Sequence, residues 1–197
     1  MVVIMISINY EIIKQNIKSI NKNKILVLKD NAYGFGLSKM LDVALSCDEC
    51  MFAVKDIKEA DVIIKKIPNA MVLILGPILS CDNRYVYTVS NDDDYQFCIK
   101  NDLNFHIKLN LGMNRFGFNN LPSYINDNNC LGLYFHCPDK SKKDNIKKLK
   151  KFEKITQSIK RQDLIYHVGG SCFIEIEHNF YVRFGISMYR RTRTTCA

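Results

Sequence analysis

The chain has 197 residues, 47% of them hydrophobic and 24% charged, with a net charge of +8. Those proportions describe a globular protein with a real core and exclude a disordered chain, and no apolar run reaches the roughly 18 residues that a membrane helix needs. The positive balance points to no nucleic-acid partner, because many of the lysines fall on one amphipathic helix whose solvated face accounts for them.

In chain order, the opening MVVIMISINY is apolar and alternates towards Ser7 and Asn9, so it reads as a strand. It lacks a basic leading region, so no export signal is expected and the protein is taken as cytoplasmic. Short β-branched runs predict eight further strands: Ile25–Leu28, Met51–Val54, Met71–Leu75, Val86–Val89, Phe105–Leu109, Leu131–His136, Leu164–Val168 and Tyr181–Arg183. Between them, Leu37–Ser46, Ile57–Lys65 and Asp92–Lys100 carry helical patterning. The clearest helix begins at Ser141, with Asp144 completing a capping box. Its Ile146, Leu149, Phe152, Ile155 and Ile159 share one face.

The eight cysteines, at 47, 50, 81, 98, 130, 137, 172 and 196, sit mostly beside apolar neighbours and read as reduced thiols. Cys47-Asp-Glu-Cys50 is a lone CxxC without a second pair or histidines at ligand spacing. Helix-end residues are expected there in preference to zinc or redox chemistry, and no metal is assigned.

Strands separated by helices imply parallel βαβ units, and eight of them imply a closed α/β barrel of the (β/α)8 TIM type over residues 1–189. Such barrels usually take about 250 residues, so this one is compressed. Too little chain follows the eighth strand for a last helix, which predicts exposed apolar surface at the seam beside the first strand. An open α/β sheet is the alternative. Residues 190–197, RRTRTTCA, hold three of the seven arginines and no apolar period, and read as a basic, disordered tail.

In a parallel barrel the functional groups gather at the C-terminal strand ends. Lys29 ends the first strand, Lys108 closes the fifth with Arg115 in its loop, and His136 ends the sixth. His167-Val-Gly-Gly-Ser171 follows the seventh and Arg183-Phe-Gly185-Ile186 the eighth. Singly, each has a bland reading: Lys29 snorkels and the histidines are satisfied core residues. Convergence of polar groups from five strands on one mouth argues for a site. The loops after strands seven and eight are the usual phosphate cradle of this architecture, and here they bring a serine hydroxyl and glycine-flanked N–H groups. A lysine opposite such a cradle is what pyridoxal 5′-phosphate requires: an amine for a Schiff base and an anchor for the phosphate. That role also answers why a lysine, almost never fully buried without a partner, should end an apolar strand.

These stretches resemble the motifs of bacterial, fold type III alanine racemases. VLKDNAYGFG is similar to that family's cofactor-lysine signature and HIKLNLGMNRFGF to its fifth-strand motif. HVGGS is similar to its serine phosphate loop, YVRFGISMY to its eighth-strand arginine motif and FAVKDIKEA to its second-strand region. The likeness runs in order from about Ile6 to Tyr189. It implies interconversion of L- and D-alanine, or action on serine, through a Lys29 aldimine, with Lys29 as the base on one face of Cα. It implies Tyr33, Ser171, Gly185 and Ile186 around the phosphate, and Arg183 against the pyridine nitrogen, which it keeps unprotonated. Arg115 would contact the ring hydroxyl, and Lys108 matches a position often carbamylated, where it orients that arginine. His136 would pack on the ring, and His167 would support the network around Arg183.

Asp30, Phe35, Asn110, Leu111 and Gly170 depart from the family's motifs. The family's C-terminal β-domain, which supplies a tyrosine for the opposite face of the substrate, is expected to be absent. The resemblance therefore implies a shortened or split racemase of low activity alone, either homodimeric or completed by a partner carrying that domain. A barrel that holds the cofactor without catalysis is the alternative.

Overall fold

Each of the eight strands expected after the opening segment forms within a residue of its expected ends: β1 (Lys24–Val27), β2 (Met51–Val54), β3 (Met71–Ile74), β4 (Val86–Val89), β5 (Asn104–Leu109), β6 (Cys130–His136), β7 (Ile165–Gly169) and β8 (Tyr181–Phe184). The computed structural model describes residues 8–137 and 141–190. All neighbouring pairs are parallel, and β8 pairs back to β1 through Lys24↔Val182, Ile25↔Arg183 and Leu26↔Phe184, which closes the barrel and excludes the open sheet.

Side-chain alternation with period two explains why the strands close. On β1, Leu26 packs outward into the main core with Phe52, Val72 and Val182, whereas Ile25 and Val27 belong to a separate inner cluster with Ala53, Leu73 and Val86. The outer residues meet helices: α3 (Leu37–Leu45), α4 (Ile57–Lys66), α5 (Asp92–Lys100) and α6 (Lys142–Gln157). Ser141 caps α6, accepting from Asp144 N–H at 3.2 Å, and Leu149 and Phe152 are its buried contacts. The compression has a simple origin. No α-helix joins β3 to β4, and the crossovers β5–β6 and β7–β8 carry only the 3-10 turns Ser123–Asn126 and Ser171–Phe173.

Two expectations need correction at the seam. Residues 1–7 of the expected opening strand lie outside the described residues, but its last residue, Tyr10, starts a helix, α1 (Tyr10–Lys18). Asn9 caps α1 by accepting from Ile12 N–H at 3.2 Å, and Ile13 and Ile17 are buried one turn apart. Second, the seam is covered. No α-helix follows β8 among the described residues, only the 3-10 turn Ile186–Tyr189. In its place α1 packs against that turn and against α3. The buried Asn16 fixes it there, donating to Met188 O at 2.9 Å and Arg190 O at 2.8 Å. The tail residues 191–197 lie outside the described residues.

Among the described residues no helix is long and apolar enough to cross a membrane, and no group of three or more His, Cys, Asp or Glu side chains is gathered as a metal would need. Cys47 and Cys50 follow the end of α3.

Candidate active site

The chain leaving β1 turns the wrong way round. Lys29–Tyr33 (α2) is one turn of left-handed helix: Asp30, Asn31, Ala32 and Tyr33 have φ of 54°, 53°, 54° and 56°, and Gly34 exits at 85°. For L-residues that conformation costs about 1–2 kcal/mol each, so tertiary contacts must hold it. Ala32 is fully buried. Tyr33 packs edge-on against Tyr189 at 5.9 Å, and Phe35 stacks flat on the same ring at 4.0 Å. The turn carries the half-buried Lys29 and the Tyr33 hydroxyl to the C-terminal mouth of the barrel.

That mouth holds a cavity of about 500 Å³. Of the residues expected at the site, Lys29, Tyr33, Lys108, Arg115, His136, Ser171, Arg183, Gly185 and Ile186 all line it. His167 lies one layer beneath, fully buried. At one end Tyr33 meets the loops after β7 and β8, where Ser187 donates a hydrogen bond to Ser171. A side chain at position 185 would push the Tyr33 hydroxyl away, because an added Cβ would stand 2.5 Å from its oxygen. Glycine is what lets that hydroxyl reach the loop.

Arg183 organises the floor. It is 7% exposed and, among the described residues, makes no ion pair. It donates to His167 Nδ1 at 2.8 Å, Phe135 O at 3.0 Å and His136 Nδ1 at 3.3 Å, and its guanidinium stacks over the Tyr134 ring at 4.3 Å. Arginine only donates, so both histidine Nδ1 atoms accept. His167 then carries its proton on Nε2 and donates to His106 Nδ1 at 2.9 Å. His106 in turn carries its proton on Nε2, which has no partner among the described residues.

Electrostatics follow from that arrangement. Burial, with the Arg183 charge, pushes His106 and His136 down to about 3 and His167 well below its ordinary value, so all three are neutral. Burial also lowers Arg183 to about 10. Lys108 is lowered to about 8, first by burial and then by Arg115 and Arg183. Burial raises the Tyr33 and Tyr134 hydroxyls, which stay protonated.

Sequence reading passed over His106, Tyr134, Thr88, Ser187 and Glu59. Thr88 links the inner wall to the network, donating to Ile74 O at 2.8 Å and lying 3.0 Å from the Tyr134 hydroxyl. His106 and Tyr134 stand two residues before Lys108 and His136 on the same strands, so alternation alone would have sent them inward. The departures from the family's motifs have local partners. Asp30 pairs with Lys55 at 3.4 Å, and Phe35 stacks as described. Asn110 accepts from Asn114 N–H at 3.1 Å, shaping the loop that carries the exposed Arg115, while Leu111 is buried beneath it. Gly170 sits at φ 134°, a region side chains avoid, and an added Cβ would approach Cys137 O to 2.9 Å.

A parallel barrel with a strand-end lysine and a hydroxyl-lined cradle at one mouth defines a fold class, and comparison narrows it. Residues 5–192 match the family model described as alanine racemase, N-terminal domain, and the chain belongs to that family. It is 28% identical to the alanine racemase of Aquifex aeolicus over 93% of this chain and 58% of that enzyme. It is 27% identical to that of Fusobacterium nucleatum over 94% of this chain and 59% of the relative. The structure superimposes on alanine racemase from Bacillus anthracis with bound L-Ala-P at a TM-score of 0.77 and 22% identity, over 95% of this chain and 58% of the other. The chain thus spans about 58% of the length of these relatives.

Proposed function

We propose that the chain is the cofactor-holding barrel of a pyridoxal phosphate-dependent racemase of alanine or the similarly small serine. Charge carries this reading: Lys29, Arg115 and Arg183, with Lys108 beside them, line one cavity that no carboxylate side chain among the described residues lines. Cations that converge without a counter-charge are unfavourable, so the cavity suits a ligand with more than one anionic group. Pyridoxal phosphate with an amino acid brings two, a phosphate and a carboxylate. The donor set fits its two ends. Lys29 offers an amine for the aldehyde, and Tyr33, Ser171, Ser187 and the backbone of Gly185 and Ile186 offer the hydroxyl-rich end that a phosphate needs.

When bound, the cofactor supplies an electron sink that weakens the substrate's Cα–H bond. Lys29 Nζ would take and return that proton on one face. Arg183, kept a permanent donor by His167, His136 and the Phe135 carbonyl, would face the ring nitrogen as a cation and keep it unprotonated. That would weaken the sink and favour simple return of the proton. Arg115 would hold the ring hydroxyl, oriented by Lys108 if that amine takes up carbon dioxide as a carbamate; an amine lowered to about 8 is neutral often enough to do so.

Inversion needs a proton donor on the other face as well. The rim carries exposed Phe116 and Ile186, apolar groups suited to a covering surface. We assign the opposite face to a second chain, a further copy or a partner bearing the family's second domain.

Incubation with pyridoxal phosphate and L-alanine in D2O tests the proposal. Deuterium is expected at Cα, with inversion slower than exchange for the chain alone. Cofactor binding with no deuterium uptake would make the chain a holding barrel without catalysis, and failure to bind the cofactor would overturn the reading of the cavity.

A further inference from the structure

The most strained backbone in the described chain carries the lysine on which the proposed function rests. A left-handed turn of non-glycine residues persists only where its surroundings over-determine it. Some of the hold is local: Ala32 N–H donates to Leu28 O at 2.9 Å, Gly34 N–H to Asp30 O at 3.0 Å, and Leu37 N–H to Asn31 Oδ1 at 2.8 Å. The ion pair Asp30–Lys55 is more than half exposed and holds little. The Asn31 N–H is one of the first-turn donors that a helix leaves without an internal partner. It donates to Glu59 Oε1 at 2.8 Å.

Glu59 comes from a different element. Asp56 caps α4, accepting from Glu59 N–H at 3.1 Å. In such an Asp-x-x-Glu start the glutamate ordinarily folds back to the cap residue's own N–H. Here it turns outward. Oε2 accepts from Lys55 N–H at 2.9 Å, one residue before the cap, while Oε1 reaches the left-handed turn. One half-buried carboxylate ties the chain leaving β2 to the chain leaving β1.

We infer that Glu59 is a positioning residue for Lys29, capping the left-handed turn from the neighbouring helix and fixing the direction in which the lysine leaves the strand. Its hold on the turn is a property of the protein alone, and its consequence for the cofactor rests on the proposed function.

Amide hydrogen exchange on the full chain without cofactor, for wild type, Glu59→Ala and Glu59→Gln, reads the hold directly. Hydrogen bonds to a charged acceptor are the strong kind, so exchange across residues 29–36 is expected to rise roughly tenfold or more in Glu59→Ala, with β5 and β6 unchanged. Glu59→Gln keeps the shape and one acceptor oxygen, and should recover part of the protection. Titration with pyridoxal phosphate follows on the same samples, with the adduct trapped by borohydride. Glu59→Ala should form the Lys29 adduct more weakly, and Glu59→Gln should lie between it and wild type. If wild type takes up no pyridoxal phosphate, the proposed function fails while the exchange data still judge Glu59. Unchanged exchange over 29–36 in Glu59→Ala, or a rise spread evenly over the barrel in both variants, overturns the inference.

Discussion

The two halves of the barrel interior are made of different material. Strands β1 to β4 fill it with Ile25, Val27, Ala53, Leu73 and Val86, an apolar cluster that asks nothing of its neighbours beyond shape. Strands β5 to β8 fill it with His106, Lys108, Tyr134, His136, His167 and Arg183, five of them joined by hydrogen bonds or ring stacking. Thr88, on β4, is where one half passes into the other. The difference shows how a single fold divides its labour. The apolar half supplies stability that does not depend on ligand or pH, and the polar half keeps a cation and three neutral histidines in fixed orientation beneath a cavity.

Substitution should separate the halves. Leu73→Ala opens a void in the fully buried apolar side and should lower the unfolding free energy by about 2–5 kcal/mol, while the fraction that stays folded takes up pyridoxal phosphate as wild type does. Chemical denaturation beside absorbance titration checks both parts. Weakened uptake by the folded fraction would mean that the halves are coupled.

Within the barrel interior, acid should act on the polar half. His106 and His136 sit near 3 in the folded protein against 6.5 when unfolded. Between those values the unfolded chain binds more protons, so stability falls as pH drops below 6.5. The slope should approach about 1.4 kcal/mol per pH unit for each histidine that stays neutral. Replacing His106 by Asn should remove one share of that slope, whereas Leu73→Ala should lower stability and keep the wild-type slope. A slope unaltered by His106→Asn would show that the network is not what acid breaks.

Lys108 gives a smaller effect with the opposite range. Its folded value near 8 lies below 10.5, so charged Lys108 is a burden at neutral pH that is relieved as pH rises from 8 to 10.5. Bicarbonate at about pH 8.5 should add the mass of one carbon dioxide to the native protein, and Lys108→Arg should abolish that increment. The exposed Asp30–Lys55 pair marks the lower limit: Lys55→Ala should change stability by at most ~1 kcal/mol.

Much of this division could be read before any coordinates. Alternation by two placed Ile25, Val27 and Lys29 on one face, and the same rule extends from Lys108 and His136 back to His106 and Tyr134. The apolar opening points to a strand through Asn9 and Tyr10, and the cap at Asn9 with buried Ile13 and Ile17 shows only in the structure. What α1 covers was not legible, because it depends on Asn16 reaching carbonyls 172 and 174 positions later. Nor was the left-handed turn. Gly34 and Gly36 advertise its exit, but positive φ at four preceding non-glycine residues is imposed by contacts with Glu59, Tyr189 and Leu37 that no local propensity records.

The central claim is that the cationic mouth exists to hold pyridoxal phosphate on Lys29. Incubating the full chain with the cofactor, reducing with borohydride and mapping the modified peptide tests it most directly. The expected result is a single adduct at Lys29, lost in Lys29→Ala together with the near-visible absorbance band. An adduct at Lys108 or on the α6 lysines in wild type, or one that survives Lys29→Ala at full yield, would contradict it.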